Sequence, residues 1–128
     1  MIKENSITEK LEAVLKNLLN SNKDIKFAII TSVEGFPIFS LLPRRYNKQR
    51  IAAMVASLLS ISERTVADMD IGVFKHIYIK GLEGYISIFD AEEAVLAVST
   101  TKKAKMGLVF FDCKDVLYKI AKILRKEN

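Results

Sequence analysis

The chain has 128 residues, half of them hydrophobic, and a formal net charge of +5 at pH 7. This length allows one hydrophobic core, so we expect one domain over residues 1–128. The sequence contains neither a secretory signal pattern nor an apolar run near the roughly 20 residues of a transmembrane segment, which predicts a cytoplasmic protein without a membrane span. One cysteine and one histidine predict neither an internal disulfide nor a metal cluster.

The N-terminal third predicts a helix followed by a β-hairpin. Residues 6–9 fit a capping box, and apolar residues then recur at steps of three and four up to Leu18. Residues 25–31 and 36–42 are mostly apolar or β-branched, and the glycine at position 35 lies in the turn between them. Pro43 ends the second strand because proline cannot donate a hydrogen bond to a neighbouring strand.

The remainder predicts a long helix, three strands and a final helix. Residues 48–69 lack glycine and proline and are rich in alanine, leucine and methionine, which favours a helix with Asn47 as its N-cap. Apolar residues at helical spacing predict the last helix from Met106 to Leu124. The three strands between these helices are predicted at residues 74–79, 85–90 and 94–100.

These elements follow the order α-β-β-α-β-β-β-α, which indicates an α/β (α+β) fold. Residues 27–30 and 94–98 are apolar at successive positions, so side chains on both faces of the sheet are predicted to be buried. We therefore expect helices on both sides of the sheet.

The second helix has two different apolar sides at about 100° per residue. The side expected to face the sheet holds Ile51, Ala52, Val55, Leu59 and Val66. The opposite side holds Arg50, Ala53, Met54, Ser57, Ile61, Arg64 and Asp68. That side is too apolar for an ordinary solvated surface, and its small residues allow another backbone to approach. A second copy of this helix is the simplest partner, although high helix propensity with scattered exposed apolar residues also explains the pattern.

Residues 74–79 carry no proline or bulge signal that would protect an open strand edge. If this strand lies at the edge of the sheet, pairing with a symmetric copy would satisfy its free backbone groups. The predicted dimer interface therefore consists of Ala53, Met54, Ser57, Ile61, Phe74, His76 and Tyr78.

No residue pattern predicts catalysis or cofactor binding. Cys113 lies within the apolar stripe of the last helix and is expected in the core. His76 has no serine or cysteine and orienting acid in a triad pattern, and no phosphate-loop motif is present. Arg44, Arg45 and Tyr46, with the basic residues that follow, leave a nucleic-acid-binding module as an alternative function, but no recognised binding motif accompanies them.

Three segments resemble the roadblock/LC7 superfamily when they are taken together. Residues 29–38 are similar to the strand, turn and strand of that family, and residues 51–59 resemble its alanine-rich second helix. Residues 96–100 and 106–109 look like its last strand and the start of its final helix. The stand-alone chain is most similar to the bacterial and archaeal members.

This resemblance implies a five-stranded antiparallel sheet sandwiched between one helix and two helices. It also implies a homodimer, or a heterodimer with a paralogous roadblock protein, that pairs second helices and joins sheets edge to edge. Such proteins regulate or scaffold small Ras-like GTPases, so Arg50 and Arg64 become candidate contacts with the GTPase or the rim of the dimer. A structural dimerisation subunit without a GTPase partner is the remaining alternative.

Overall fold

A computed structural model describes residues 2–126 of the chain and the side chains of residues 6–125. In this range it contains three helices, α1 (Ile2–Ser21), α2 (Lys48–Asp68) and α3 (Met106–Lys126). The five strands of the same range are β1 (Ile25–Thr31), β2 (Pro37–Leu41), β3 (His76–Gly81), β4 (Gly84–Asp90) and β5 (Val95–Thr101). The predicted order of elements is confirmed. Among residues 2–126, no helix has the length and apolar composition needed to cross a membrane.

The strands form one antiparallel sheet with the order β2-β1-β5-β4-β3. The first strand pairs with the last, for example Ala28 with Val98, so the N-terminal hairpin and the C-terminal meander share a single sheet. β2 and β3 form its two edges. The β2 edge is short, begins at Pro37 and is irregular where β1 changes register between Ile30 and Thr31.

Two cores lie on opposite faces of the sheet, as the apolar runs predicted. On one face, α1 and α3 cover the sheet with side chains such as Leu11, Leu15, Val109 and Ile120. On the other face, α2 alone covers it, and the buried residues there are Ile29, Ala52, Val55, Leu59, Phe74, Ile88, Val95 and Ala97. Two helices therefore cover one face of the sheet, and one helix covers the other.

Two predicted elements, the first helix and the third strand, have boundaries that are wrong by more than one residue. The helix α1 already includes Ile2, so the capping-box pattern at residues 6–9 lies inside the helix and does not start it. The third strand begins at His76 and extends to Gly81, whereas the sequence predicted a start at residue 74. The reason is that the side chain of Phe74 is only 5% exposed and packs into the core beneath α2, ahead of the strand.

Two backbone hydrogen bonds end α2, although no glycine occupies the left-handed position that follows the helix. Asp70 adopts a left-handed conformation, with φ of 58°, and its N–H donates to the carbonyl oxygen of Ala67. The N–H of Ile71 donates to the carbonyl oxygen of Val66. This pair of bonds is a Schellman motif, in which the left-handed residue is usually glycine. The motif turns the chain out of α2 and towards β3.

The turn between β3 and β4 brings Gly84 close to the neighbouring strand. A Cβ atom at this position would overlap the carbonyl oxygen of Thr100 on β5. At Gly107, in the first turn of α3, a Cβ atom would meet no other atom within 4 Å. The two glycines therefore differ in whether a side chain fits.

We expect Gly84→Ala to lower the free energy of unfolding by about 1 to 3 kcal/mol, because the added methyl group forces β4 away from β5. The matched variant Gly107→Ala should leave the stability unchanged or raise it by up to about 1 kcal/mol, because alanine favours the helix. Urea unfolding followed by circular dichroism measures both values. Equal unfolding midpoints for the two variants would contradict the close approach of Gly84 to β5.

Candidate interaction surface

The long helix α2 presents one face to the sheet and one to solvent. Its start is fixed as predicted, because the Asn47 side chain accepts a hydrogen bond of 2.9 Å from the N–H of Arg50. Ala52, Val55 and Leu59 are buried against the sheet at steps of three and four residues. This spacing directs Ala53, Met54 and Ser57 outward, where the sequence analysis predicted the interface.

Between Arg50 and Arg64, the outward face of α2 is mainly apolar. Met54 and Ile61 are 47% and 64% exposed, and Ala53 and Ser57 lie exposed beside them. The hydroxyl of Ser57 donates to the carbonyl oxygen of Ala53 at 2.9 Å, within its own helix. Since the hydroxyl group is already satisfied, it does not oppose burial against another apolar surface.

The two candidate arginines lie towards opposite ends of this face. Arg50 is in the first turn of α2, and Arg64 is fourteen residues later, about 21 Å along the helix axis at 1.5 Å per residue. Both side chains are exposed, and neither forms an ion pair within the side chains of residues 6–125. Both guanidinium groups are thus available to another molecule at the rim of the apolar face.

The edge strand β3 lies beyond the end of α2. Within residues 2–126 its backbone hydrogen-bonds to β4 alone in the sheet, so β3 is an edge strand, a position that the sequence did not determine. The imidazole of His76 is half-buried, with its ring centroid 4.8 Å from that of Tyr78 and 5.0 Å from that of Phe110. Tyr78 remains 40% exposed, and desolvation, followed by the charge of Cys113, raises the pKa of its hydroxyl.

The structure separates the residues that were predicted to share the interface. His76 and Tyr78 lie on the α3 side of the sheet, since the His76 ring approaches Phe110 of α3 and the Tyr78 ring lies against that of His76. The alternating residues Ile77 and Ile79 therefore face the α2 side, where Ile77 packs against the core. Phe74 is buried and presents no surface to a partner.

Sequence analysis missed three exposed apolar residues between α2 and β3. Met69, Ile71 and Val73 are exposed and continue from the end of α2 towards the edge strand. In the sequence these apolar residues alternate with Asp70 and Gly72. This alternation could have indicated an exposed apolar segment, because it does not continue the helix and yet carries bulky apolar side chains. We define the α2–β3 surface as Ala53, Met54, Ser57, Ile61, Met69, Ile71, Val73 and Ile79.

Comparisons with known proteins identify relatives of both sequence and fold. The sequence profile described as Roadblock/LC7 domain matches residues 11–100. The uncharacterised protein MJ1340 of Methanocaldococcus jannaschii is 30% identical over 102 residues, which cover 80% of this chain and 90% of the relative.

Solved structures share the fold at lower sequence identity. A structure titled MglB with tetrameric arrangement has a TM-score of 0.86 at 19% identity and covers 95% of this chain and 93% of its own. A Roadblock/LC7 domain from Streptomyces avermitilis has a TM-score of 0.79 at 15% identity and covers 86% of this chain and 93% of its own. The order of helices and strands predicted from the sequence is thus that of a known fold.

The single cysteine is a core residue, as the sequence predicted. Cys113 is buried within α3 on the face that packs against the sheet. Burial, followed by the nearby charge of Asp112, raises the pKa of its thiol from 9.0 to about 12. At neutral pH the thiol is therefore uncharged, whereas a cysteine nucleophile reacts as the thiolate.

The raised pKa of Cys113 predicts a loss of stability at high pH. The unfolded thiol ionises near pH 9.0 and the folded thiol near 12, so its contribution is complete below pH 9 and decreases between these values. The difference in unfolding free energy between the wild type and Cys113→Ala should shrink by up to about 1.4 kcal/mol per pH unit in this range. Urea unfolding at pH 7, 9 and 10.5 measures this difference, and a constant value would contradict a buried neutral thiol.

Proposed function

Because the chain belongs to the Roadblock/LC7 domain family, we propose that it is a cytoplasmic, non-enzymatic homodimer that regulates or scaffolds a small Ras-like GTPase. The observation that carries this proposal is the exposed apolar α2–β3 surface, which runs from the outer side of a helix to an unpaired strand edge. The family resemblance supplies the class of partner. The exposed surface indicates how two copies of the protein would associate before they bind that partner.

Self-association through α2 fits the shape and chemistry of its outer face. Ala53 and Ser57 are small enough for two helices to approach to the 8–10 Å that is typical of close packing. Met54 and Ile61 would then fill the space on either side of this contact. A two-fold axis would bring the same residues of both copies together, as in most homodimers.

The edge strand β3 supports the same symmetric arrangement. Two β3 strands can pair through their open backbone groups and extend the sheet from one copy into the other. Met69, Ile71 and Val73 lie between α2 and this edge, so one partner can cover all three parts of the α2–β3 surface. The structure titled MglB with tetrameric arrangement is consistent with self-association on this fold.

A dimer of this kind offers the GTPase a surface to which both copies contribute. Arg50 and Arg64 lie at the rim of the α2 face, where association leaves their guanidinium groups at the edge of the contact. Charged groups at such a rim guide association with an acidic partner. We assign these arginines to binding of the GTPase and not to its chemistry, and a structural subunit without a GTPase partner is the alternative that the experiment must distinguish.

The α2 interface predicts the effect of one buried charge. Ile61→Asp should convert the dimer to a monomer, because an unpaired carboxylate in the contact costs several kcal/mol and raises the dissociation constant at least about a hundredfold. Leu108→Asp is the matched control, since Leu108 is an exposed residue of α3 on the other face of the sheet. Light scattering after size exclusion, over a dilution series, should give twice 14.4 kDa for the wild type and the control. A wild-type monomer, or an Ile61→Asp dimer, would overturn this interface.

The GTPase assignment is tested with small GTPases of the same genome, each loaded with GDP or a non-hydrolysable GTP analogue. The wild-type dimer should prefer one nucleotide state, and Arg50→Ala or Arg64→Ala should weaken that binding about tenfold without changing the dimer. Arg125→Ala on α3 is the control. A stable dimer that binds no GTPase in either state would favour the structural subunit.

A further inference from the structure

Two basic segments far apart in sequence meet at the end of the sheet nearest the start of α2. Arg45 precedes α2, whereas Lys102 and Lys103 follow β5, and all three line one shallow depression of about 600 Å³. Beside it lies a smaller apolar pocket of about 180 Å³ between α2 and the sheet, lined in part by Phe27, Leu42, Tyr46, Ile51, Ile86 and Ser99. The linings of both spaces include Phe27, Tyr46 and Ser99, so the pocket adjoins the basic depression.

An aromatic pair forms the boundary between the two spaces. The rings of Phe27 and Tyr46 meet edge to face, with centroids 5.6 Å apart. The guanidinium of Arg45 lies 4.8 Å from the centroid of Tyr46 and 5.8 Å from that of Phe27. Arg45 also donates a hydrogen bond of 3.4 Å to the Tyr46 hydroxyl. These contacts hold a cation and two aromatic rings together at the mouth of the pocket.

The depression outside the pocket carries an excess of positive charge. Its charged side chains are the cations Lys26, Arg45, Lys102 and Lys103 and the carboxylates Asp24 and Glu83. Both carboxylates already have partners, since Asp24 accepts a hydrogen bond of 3.0 Å from the Thr101 hydroxyl and Glu83 lies 3.7 Å from the Lys102 ammonium. Within the side chains of residues 6–125, Lys26, Arg45 and Lys103 form no ion pair.

We propose that this pocket is a binding site for a small nucleotide, whose ring enters the apolar pocket while its phosphate contacts Arg45 and Lys103. The volume of 180 Å³ suits one flat ring, because an apolar protein cavity of about 150 Å³ holds benzene. The hydroxyl of Ser99 offers a polar contact on the pocket wall. Arginine and lysine at the mouth provide charge-assisted hydrogen bonds to phosphate. The site uses side chains where a phosphate loop would use backbone N–H groups.

The test is a titration of the full chain with each of the four ribonucleoside 5′-monophosphates, followed by isothermal calorimetry and amide chemical shifts. At least one nucleotide should bind and shift the amides around Phe27, Tyr46 and Ser99. The corresponding nucleoside and inorganic phosphate should each bind at least about tenfold more weakly, because each retains only half of the contacts.

Variants separate the two parts of the site. Arg45→Ala and Lys103→Ala should weaken nucleotide binding about tenfold through loss of phosphate contacts, and Tyr46→Ala should weaken it through loss of ring contact. Lys114→Ala, which removes an exposed cation on α3, should bind as the wild type. Thermal unfolding confirms that each variant is folded.

Failure of all four nucleotides to bind would overturn the proposal, and so would three other results. One is inorganic phosphate that binds as tightly as every nucleotide, and another is nucleotide affinity that is unchanged in both Arg45→Ala and Tyr46→Ala. The third is binding only to oligouridylate or only to phosphatidylglycerol vesicles, which would assign the basic depression to a nucleic acid or a membrane surface. The site shares no residue with the α2–β3 surface, so its test is scored separately from the dimer and GTPase experiments.

Discussion

The inner strands β1 and β5 carry apolar side chains on both faces of the sheet, and the remaining structure follows because both faces must be covered by helices. Residues of alternating direction, such as Ala28 and Ile29, are buried on opposite sides of the sheet. Two helices cover one face and one helix covers the other, so the cover is unequal. On the side with a single helix, apolar residues between α2 and β3 remain exposed. The proposed interaction surface thus lies on the face of the sheet that a single helix covers.

Local patterns were sufficient to predict the order of elements and the two-sided core. The helical spacing of α2, the Asn47 cap and the apolar runs of the central strands each depend on residues close together in sequence. Such features can be predicted from a short stretch of sequence without knowledge of distant contacts. The resemblance to a known family added the arrangement of the sheet and helices, which the profile match and the structural neighbours support.

Features that depend on distant contacts were harder to predict. Phe74 looks like a strand residue, but packing under α2 holds it in the core, and β3 starts two residues later. The side chains of β3 still alternate between the two faces of the sheet. Only the folded structure shows that His76 lies beside Phe110 of α3, so that Ile79 faces the α2 side. The basic depression was also hidden, since Arg45 and Lys103 meet only after β1 and β5 pair. The spacing of residues along the chain does not reveal these contacts between distant segments.

The two edges of the sheet differ in a way that limits the size of an assembly. β2 has five residues, starts with a proline that lacks an N–H group and lies beside an irregularity in β1, so it is a poor template for another strand. β3 has six residues and regular pairing along its inner side. An isologous contact uses the β3 edge of both copies at once and leaves only β2 edges at the two ends. In the proposed dimer, growth by strand addition would therefore stop at a closed pair, without propagation of the sheet into a fibre.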